Sequence, residues 1–116
     1  MTDQTPSSPP ETVLHIAERA RWESARASGE SYAMSTRGRT LAEEGFIHCS
    51  SDLDQVRTVL GAFYKDVPPS DLVLLTVSTQ GLDVRLEPAD GDLFPHIYGP
   101  IPLSAVIEVR PVPDNR

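Results

Sequence analysis

Proton transfer near neutral pH is work for histidine, and this chain of 116 residues carries three, His15, His48 and His96. His15 sits in the run Val13-Leu14-His15-Ile16-Ala17, which reads as a strand. Alternation puts Leu14 and Ile16 on one face and His15 on the other, with Val13 and Ala17. Phe46 to Ser50 reads as a second strand, with Ile47 and Cys49 on one face and Phe46, His48 and Ser50 on the other. If the two strands are neighbours, His15, His48 and Ser50 line one cleft, and both imidazoles open on the same pocket. The plainer alternative is that each imidazole is a half-buried strand residue bonded to backbone. His96 lies in Leu93 to Pro100, a stretch with an aromatic near each end, two prolines and a glycine. It is expected to be a rigid loop walling the pocket, or simply a tight loop held by Phe94 and Tyr98 packing on the core.

Other reactive side chains offer less. Cys49 falls on the apolar side of its strand, which suits a small core residue better than a thiolate nucleophile. Ser50 and Ser51 lack a Gly-x-Ser-x-Gly elbow, and Ser51 is better explained as a helix cap. No HxH or HxxxH spacing is present, so no metal site is expected. Arg19, Arg21, Arg26, Arg37 and Arg39 face only Glu23 and Glu30 in their stretch, forming either a phosphate-binding rim or a solvated face. Of the acidic residues near the aromatic stretch, Asp90 and Asp92 flank Gly91 as turn residues do, and Glu87 lies in a strand, where it could serve as base or ribose ligand.

The elements that must hold these residues can be read from periodicity. A helix from Glu18 to Ser28 uses Trp22 as its core contact and stops at Gly29. Residues 31 to 40 read as a loop, and Leu41 to Glu44 as one helical turn ending at Gly45. Leu53, Val56, Leu60 and Phe63 mark an amphipathic helix over about 52 to 64. Leu72 to Val77 is the expected central strand, covered on both faces. Val84 to Glu87 and Ala105 to Val109 complete about five strands and two main helices, an α+β domain with a mostly antiparallel sheet. One core is expected to bury Leu14, Ile16, Trp22, Ile47, Cys49, Val56, Leu60, Phe63 and Leu74. The domain spans 12–110, between a disordered N-terminal tail at 1–11 and a C-terminal tail at 111–116.

Composition narrows the function classes. A formal net charge of −7 opposes strong attraction to bulk nucleic acid or anionic membranes. No uninterrupted run of apolar side chains exceeds four residues, far short of the roughly 20 that cross a bilayer. One cysteine excludes an internal disulfide, and no apolar signal segment follows Met1, so the expected location is the cytoplasm.

The segments LHIAERARWESARASGESY, LAEEGFIHCSS, DLVLLTVS and LFPHIYGPIPLSAVIEV resemble the small bacterial family called domain of unknown function 952, over about 13 to 110. That resemblance implies an ADP-ribosyltransferase-like fold, a split and strongly bent sheet whose cleft holds NAD in active relatives. Within that superfamily the layout is similar to the RNA 2′-phosphotransferases. It places His15 at an adenosine-ribose contact, and His48 with Ser50 at the nicotinamide end. The glutamate usual in ADP-ribosylating members is missing from the FPHIYG segment, where His96 stands instead. The expected function is therefore binding or processing of NAD, ADP-ribose or another small phosphorylated nucleotide, with little ADP-ribosylation of protein. His15, His48 and His96 would be catalytic, and Ser50, Arg19, Arg21 and Tyr98 would bind ligand. The alternative is a non-catalytic ligand-binding or protein-interaction module that keeps the cleft.

Overall fold

The computed structural model describes residues 10–113. Chain order begins with strand β1 (Thr12–Glu18), helix α1 (Arg19–Ser28), and strands β2 (Met34–Thr36) and β3 (Arg39–Thr40). There follow α2 (Leu41–Glu44), β4 (Ile47–His48), α3 (Leu53–Phe63), β5 (Leu72–Ser78), β6 (Val84–Ala89), β7 (Asp92–Ile97) and β8 (Val106–Arg110). The described residues thus form three helices and eight strands, an α+β fold whose strand pairs are all antiparallel.

Two three-stranded sheets carry the architecture, ordered β1-β5-β8 and β4-β7-β6. They meet where Leu14 and Ser50 exchange backbone hydrogen bonds of 2.8 and 2.7 Å. The strands therefore run β8-β5-β1-β4-β7-β6 across one split surface, joined at its middle by a single bridge. β5 is central in its sheet, as its unbroken apolar run predicts.

Strand alternation divides the buried residues between two cores. Val13 and Ala17 of β1 and Val73, Leu75 and Val77 of β5 join Trp22, Tyr32, Ile47, Cys49, Ile97 and Ile101. Leu14, Ile16, Leu72 and Leu74, on the opposite face, join Val56, Leu60, Tyr64 and Val112 beneath α3. The single core expected from sequence is thus two, because a strand with apolar residues at both parities packs on both sides. Phe63 is not part of either and is 59% exposed. Val56, Leu60 and Tyr64 follow one another at i, i+4 and i+8, and Phe63 stands beside that stripe.

Local chemistry sets the ends of the elements. α1 stops at Gly29, which takes φ 75° while the Glu30 N–H reaches back to the Ala25 carbonyl at 3.2 Å. In α2, Thr40 and Glu43 form a reciprocal capping box. α3 is capped by Asp52, whose side chain accepts from the Gln55 N–H at 2.9 Å, and not by Ser51.

Residues 31 to 40 hold the β2–β3 hairpin rather than a loop, and Leu93 to Ile97 lie in strand β7 rather than in a rigid loop. Pro95 argues against a central strand because it donates nothing. It keeps its place because its carbonyl accepts from the Cys49 N–H at 3.0 Å. The β6–β7 turn is Asp90-Gly91, with φ 53° and 82°, the two left-handed positions of a type I′ hairpin. Of the two tails expected from sequence, residues 1–9 and 114–116 lie outside the described residues. At their borders, Thr79 bonds the carbonyls of Pro10 and Glu11, and Val112 is buried against α3.

Candidate functional site

His48 on β4 and His96 on β7 are direct cross-strand partners, so their rings emerge on the same face of the second sheet. The ring centroids are 5.4 Å apart, edge to face. Phe46 supports both, stacking on His96 at 4.1 Å and meeting His48 edge-on at 4.7 Å. α3 and the β2–β3 hairpin face this surface, and between them lies a cavity of about 390 Å³. His48 and His96, Thr36 and Arg37 give it polar groups, while Phe63 and Phe94 give it aromatic walls.

Each imidazole is oriented by a carboxylate. His96 is 6% exposed, and its Nδ1 lies 2.7 Å from Glu87 Oε1, so Nδ1–H donates and Nε2 is left with no protein partner among the described residues. Glu87 also accepts from the Tyr98 hydroxyl at 2.5 Å. These two bonds, that from Tyr98 foremost, pull the Glu87 carboxyl below its ordinary range. The Arg85 guanidinium, paired with Asp83, lies 4.0 Å over the Tyr98 ring. His48 is half-buried, with Nε2 3.5 Å from Glu44 Oε1. Burial outweighs that carboxylate and lowers the imidazole below its ordinary value.

α3 is pinned over the cavity at both ends. Near its start Gln55, 8% exposed, donates to Asp92 Oδ2 at 3.0 Å and to the Leu93 carbonyl at 2.8 Å. At its end Arg37 donates to the Phe63 carbonyl at 3.0 Å and holds Asp66 through two bonds of 2.7 and 2.9 Å.

The remaining residues expected at the site are dispersed. His15 does not open on the pocket with His48: it is sealed at 2% exposure, with Nδ1 donating to the His48 carbonyl at 2.7 Å and Nε2 3.2 Å from the Tyr32 hydroxyl. Burial pushes its imidazole down to about 4, so it is neutral at pH 7. The reason is that β1 lies between two cores, so the face carrying His15 is packed by Val13, Ala17 and their neighbours. Ser50 is buried at the sheet junction and lines a small chamber under the cavity. Arg19 donates to the Ser70 carbonyl at 2.7 Å, and Arg21 borders a shallow depression beside α1. Neither lines the cavity. Tyr98 stands behind His96 as a partner of Glu87. Cys49 is at the cavity wall with its thiol raised by burial, the behaviour of a core cysteine.

Sequence reasoning passed over Glu44 and Phe63 beside the cavity and singled out Arg19 and Arg21 from a cluster of which Arg37 is the member that lines it. The signal for Glu44 was its spacing of four residues before His48 across the Gly45 turn. Arg37 reaches the site through Asp66, 29 residues away, for which no local pattern exists. Among the described residues no group of three or more His, Cys, Asp or Glu side chains is placed to hold a metal ion, and no helix is long and apolar enough to cross a membrane.

The family described as "Protein of unknown function (DUF952)" matches residues 16–109, a span that takes in the histidine pair and both orienting carboxylates. The chain belongs to this family. Among solved structures, the crystal structure of protein CC0527 from Caulobacter crescentus is similar at 29% identity, covering 86% of this chain and 84% of that one, with a TM-score of 0.71. A double methionine variant of CC0527 gives the same values. No curated protein matches the chain.

Proposed function

We propose that this DUF952 chain binds a small phosphorylated nucleotide in the cavity between α3 and the second sheet, with His48 and His96 as its acid–base pair. The observation that carries the reading is the convergence of two imidazoles on one cavity, one oriented by Glu44 and one by Glu87. His48, kept neutral by burial, suits the base. His96 suits the acid, because a ring donating from both nitrogens still pairs with Glu87 through Nδ1 and presents Nε2–H to the cavity. Phe63 and Phe94 offer faces for a base to stack on, and Arg37 lines the same cavity, where a phosphate would share its fork with Asp66.

Cavity size refines the ligand. At about 390 Å³ it lies near the small end of the roughly 300–1,000 Å³ that ligand pockets span, which favours a mononucleotide over all of NAD or ADP-ribose. The split antiparallel sheet is in keeping with an ADP-ribosyltransferase-like fold. On that reading the carboxylate absent from the FPHIYG segment arrives from the neighbouring strand as Glu87. It reaches His96 and Tyr98, not the cavity itself, so it positions the imidazole instead of clamping a ribose. Little protein ADP-ribosylation is expected. His15 supports His48 from beneath, and Arg19 and Arg21 have no part in the site. The charge of −7 leaves affinity to the pocket, with no basic track for a long RNA.

A thermal-shift screen of NAD, ADP-ribose, adenosine 2′-phosphate and adenosine 2′,3′-cyclic phosphate tests this. A ligand at 100 times its Kd stabilises the fold by about 2.7 kcal/mol. The expected result is a shift with a mononucleotide that His48→Ala and His96→Ala both diminish. No shift with any of the four, each at millimolar concentration, refutes the reading. Binding without turnover favours the ligand-binding module.

A further inference from the structure

Directly beneath the histidine cavity lies a chamber of about 30 Å³ bounded by Thr36, His48, Ser50 and Tyr64, with Leu14 and Ile16 below. It shares Thr36, His48, Cys49 and Val59 with the cavity above, so it forms that cavity's floor. Ser50 is 4% exposed, and its backbone is committed to the bridge with Leu14. Its hydroxyl has no protein partner among the described residues. The oxygen is not among the side-chain atoms sealed off without a partner, so it stays open to a hydrogen-bonding occupant of the chamber. Around it stand the Thr36 and Tyr64 hydroxyls, 3.3 Å from each other, and His48.

The volume decides what that occupant is. One water needs about 10–15 Å³ of such space and two to four polar partners, and the chamber supplies both. An organic acceptor such as a sugar or a peptide side chain does not fit. We infer that the chamber holds a water bonded to Ser50, and that this water is the nucleophile of the site, which makes the reaction hydrolysis of a nucleoside cyclic phosphate.

The inference rests on the nucleotide reading above and adds the second reactant. The water oxygen bonds to phosphorus as one of its protons passes to the His48 imidazole. The phosphorus bond to one ribose oxygen breaks, that oxygen keeps the electron pair, and it takes the proton from His96 Nε2. The phosphodiester and water thus become a phosphomonoester, with both imidazoles exchanged in protonation and reset through solvent. Two rings 5.4 Å apart can serve the attacking and leaving oxygens of one phosphorus.

Two measurements on the full chain test this. In a high-resolution crystal structure without nucleotide, an ordered water within hydrogen-bonding distance of Ser50 Oγ is expected. A chamber without one overturns the inference, and this readout does not depend on nucleotide binding. With adenosine 2′,3′-cyclic phosphate in ¹⁸O-labelled water, the monoester product should carry one label. Ser50→Ala keeps the backbone bridge, so its melting curve should remain cooperative. Its kcat should fall about tenfold or more while KM stays within about twofold. Unlabelled product, or a Ser50→Ala enzyme as fast as the parent, overturns the hydrolytic role. Binding of the cyclic nucleotide without turnover also overturns it and leaves the binding reading standing. Failure of every nucleotide to bind removes the reading on which the hydrolytic role is built.

Discussion

His15 and His48 are joined by one hydrogen bond, from a buried ring to its neighbour's carbonyl, yet alanine at each should be felt in different measurements. His48 is half-exposed, and its removal leaves the carbonyl and the strand pairing in place. His48→Ala is expected to weaken mononucleotide binding by about 1–3 kcal/mol in calorimetry with little change in melting temperature. His15→Ala strips the Tyr32 hydroxyl and the His48 carbonyl of a partner inside the core. It should lower stability by at least about 1–3 kcal/mol, read as an earlier urea midpoint. If the two variants melt alike, the division into support and site is wrong. At this scale the sequence was legible where alternation sufficed: it put His15 opposite Leu14 and Ile16, and His48 opposite Ile47 and Cys49. Alternation gives a face but not what covers it. Nothing local to Val13 or Ala17 announces that Trp22, Tyr32 and Ile101 will seal that side of β1.

α3 forms the roof of the cavity, and its position depends on bonds that a helical pattern does not contain. Val56 and Leu60 dictated the helix and its buried side, whereas Gln55 and Arg37, which fasten its two ends, act across 38 and 29 residues. Tertiary partners of that kind decide where the roof sits, and they explain why Phe63 was assigned to the core when it overhangs the cavity. The two segments misread as loops failed for a related reason. Gly38 does make a turn, at φ 69°, but inside the β2–β3 hairpin, and Gly99-Pro100 lies beyond β7, so strand pairing overrides a turn signal only at Phe94-Pro95. Asp52→Ala removes the side-chain cap of the first turn of α3 and should cost about 1 kcal/mol, seen as a lower urea midpoint at unchanged slope. Phe63→Ser tests the roof in the opposite sense. An exposed ring contributes little to either core, so stability should stay within about 0.5 kcal/mol while mononucleotide affinity falls. A large loss of stability would place Phe63 in the core after all.

For the whole molecule, two effects of opposite sign act as pH is lowered from 7. Net charge moves from −7 toward zero near the pI of about 4.8, which relieves self-repulsion and favours the compact state. Against this stands His15, whose imidazole titrates at about 4 in the fold and at 6.5 when the chain is open. Between those values the unfolded chain binds the extra proton, so stability falls with pH below 6.5 and the full penalty is reached below about 4. A difference of that size is worth about 3 kcal/mol, a large share of a small domain's 5–15 kcal/mol. The carboxyls of Asp66, Asp83 and Glu87, each held below its ordinary value by a hydrogen-bonded partner, also lose their contribution as pH drops through their folded values. Relief of a dispersed surface charge at ordinary ionic strength is the weaker influence, because charges beyond about 10 Å are screened. The urea midpoint should therefore decline steadily from pH 6.5 to 4.5, and the ring protons of His15 should show no titration in the folded protein above about pH 5. A midpoint that rises over the same interval would mean that charge relief dominates. Titration of His15 near 6.5 would mean that its ring is not sealed between the cores.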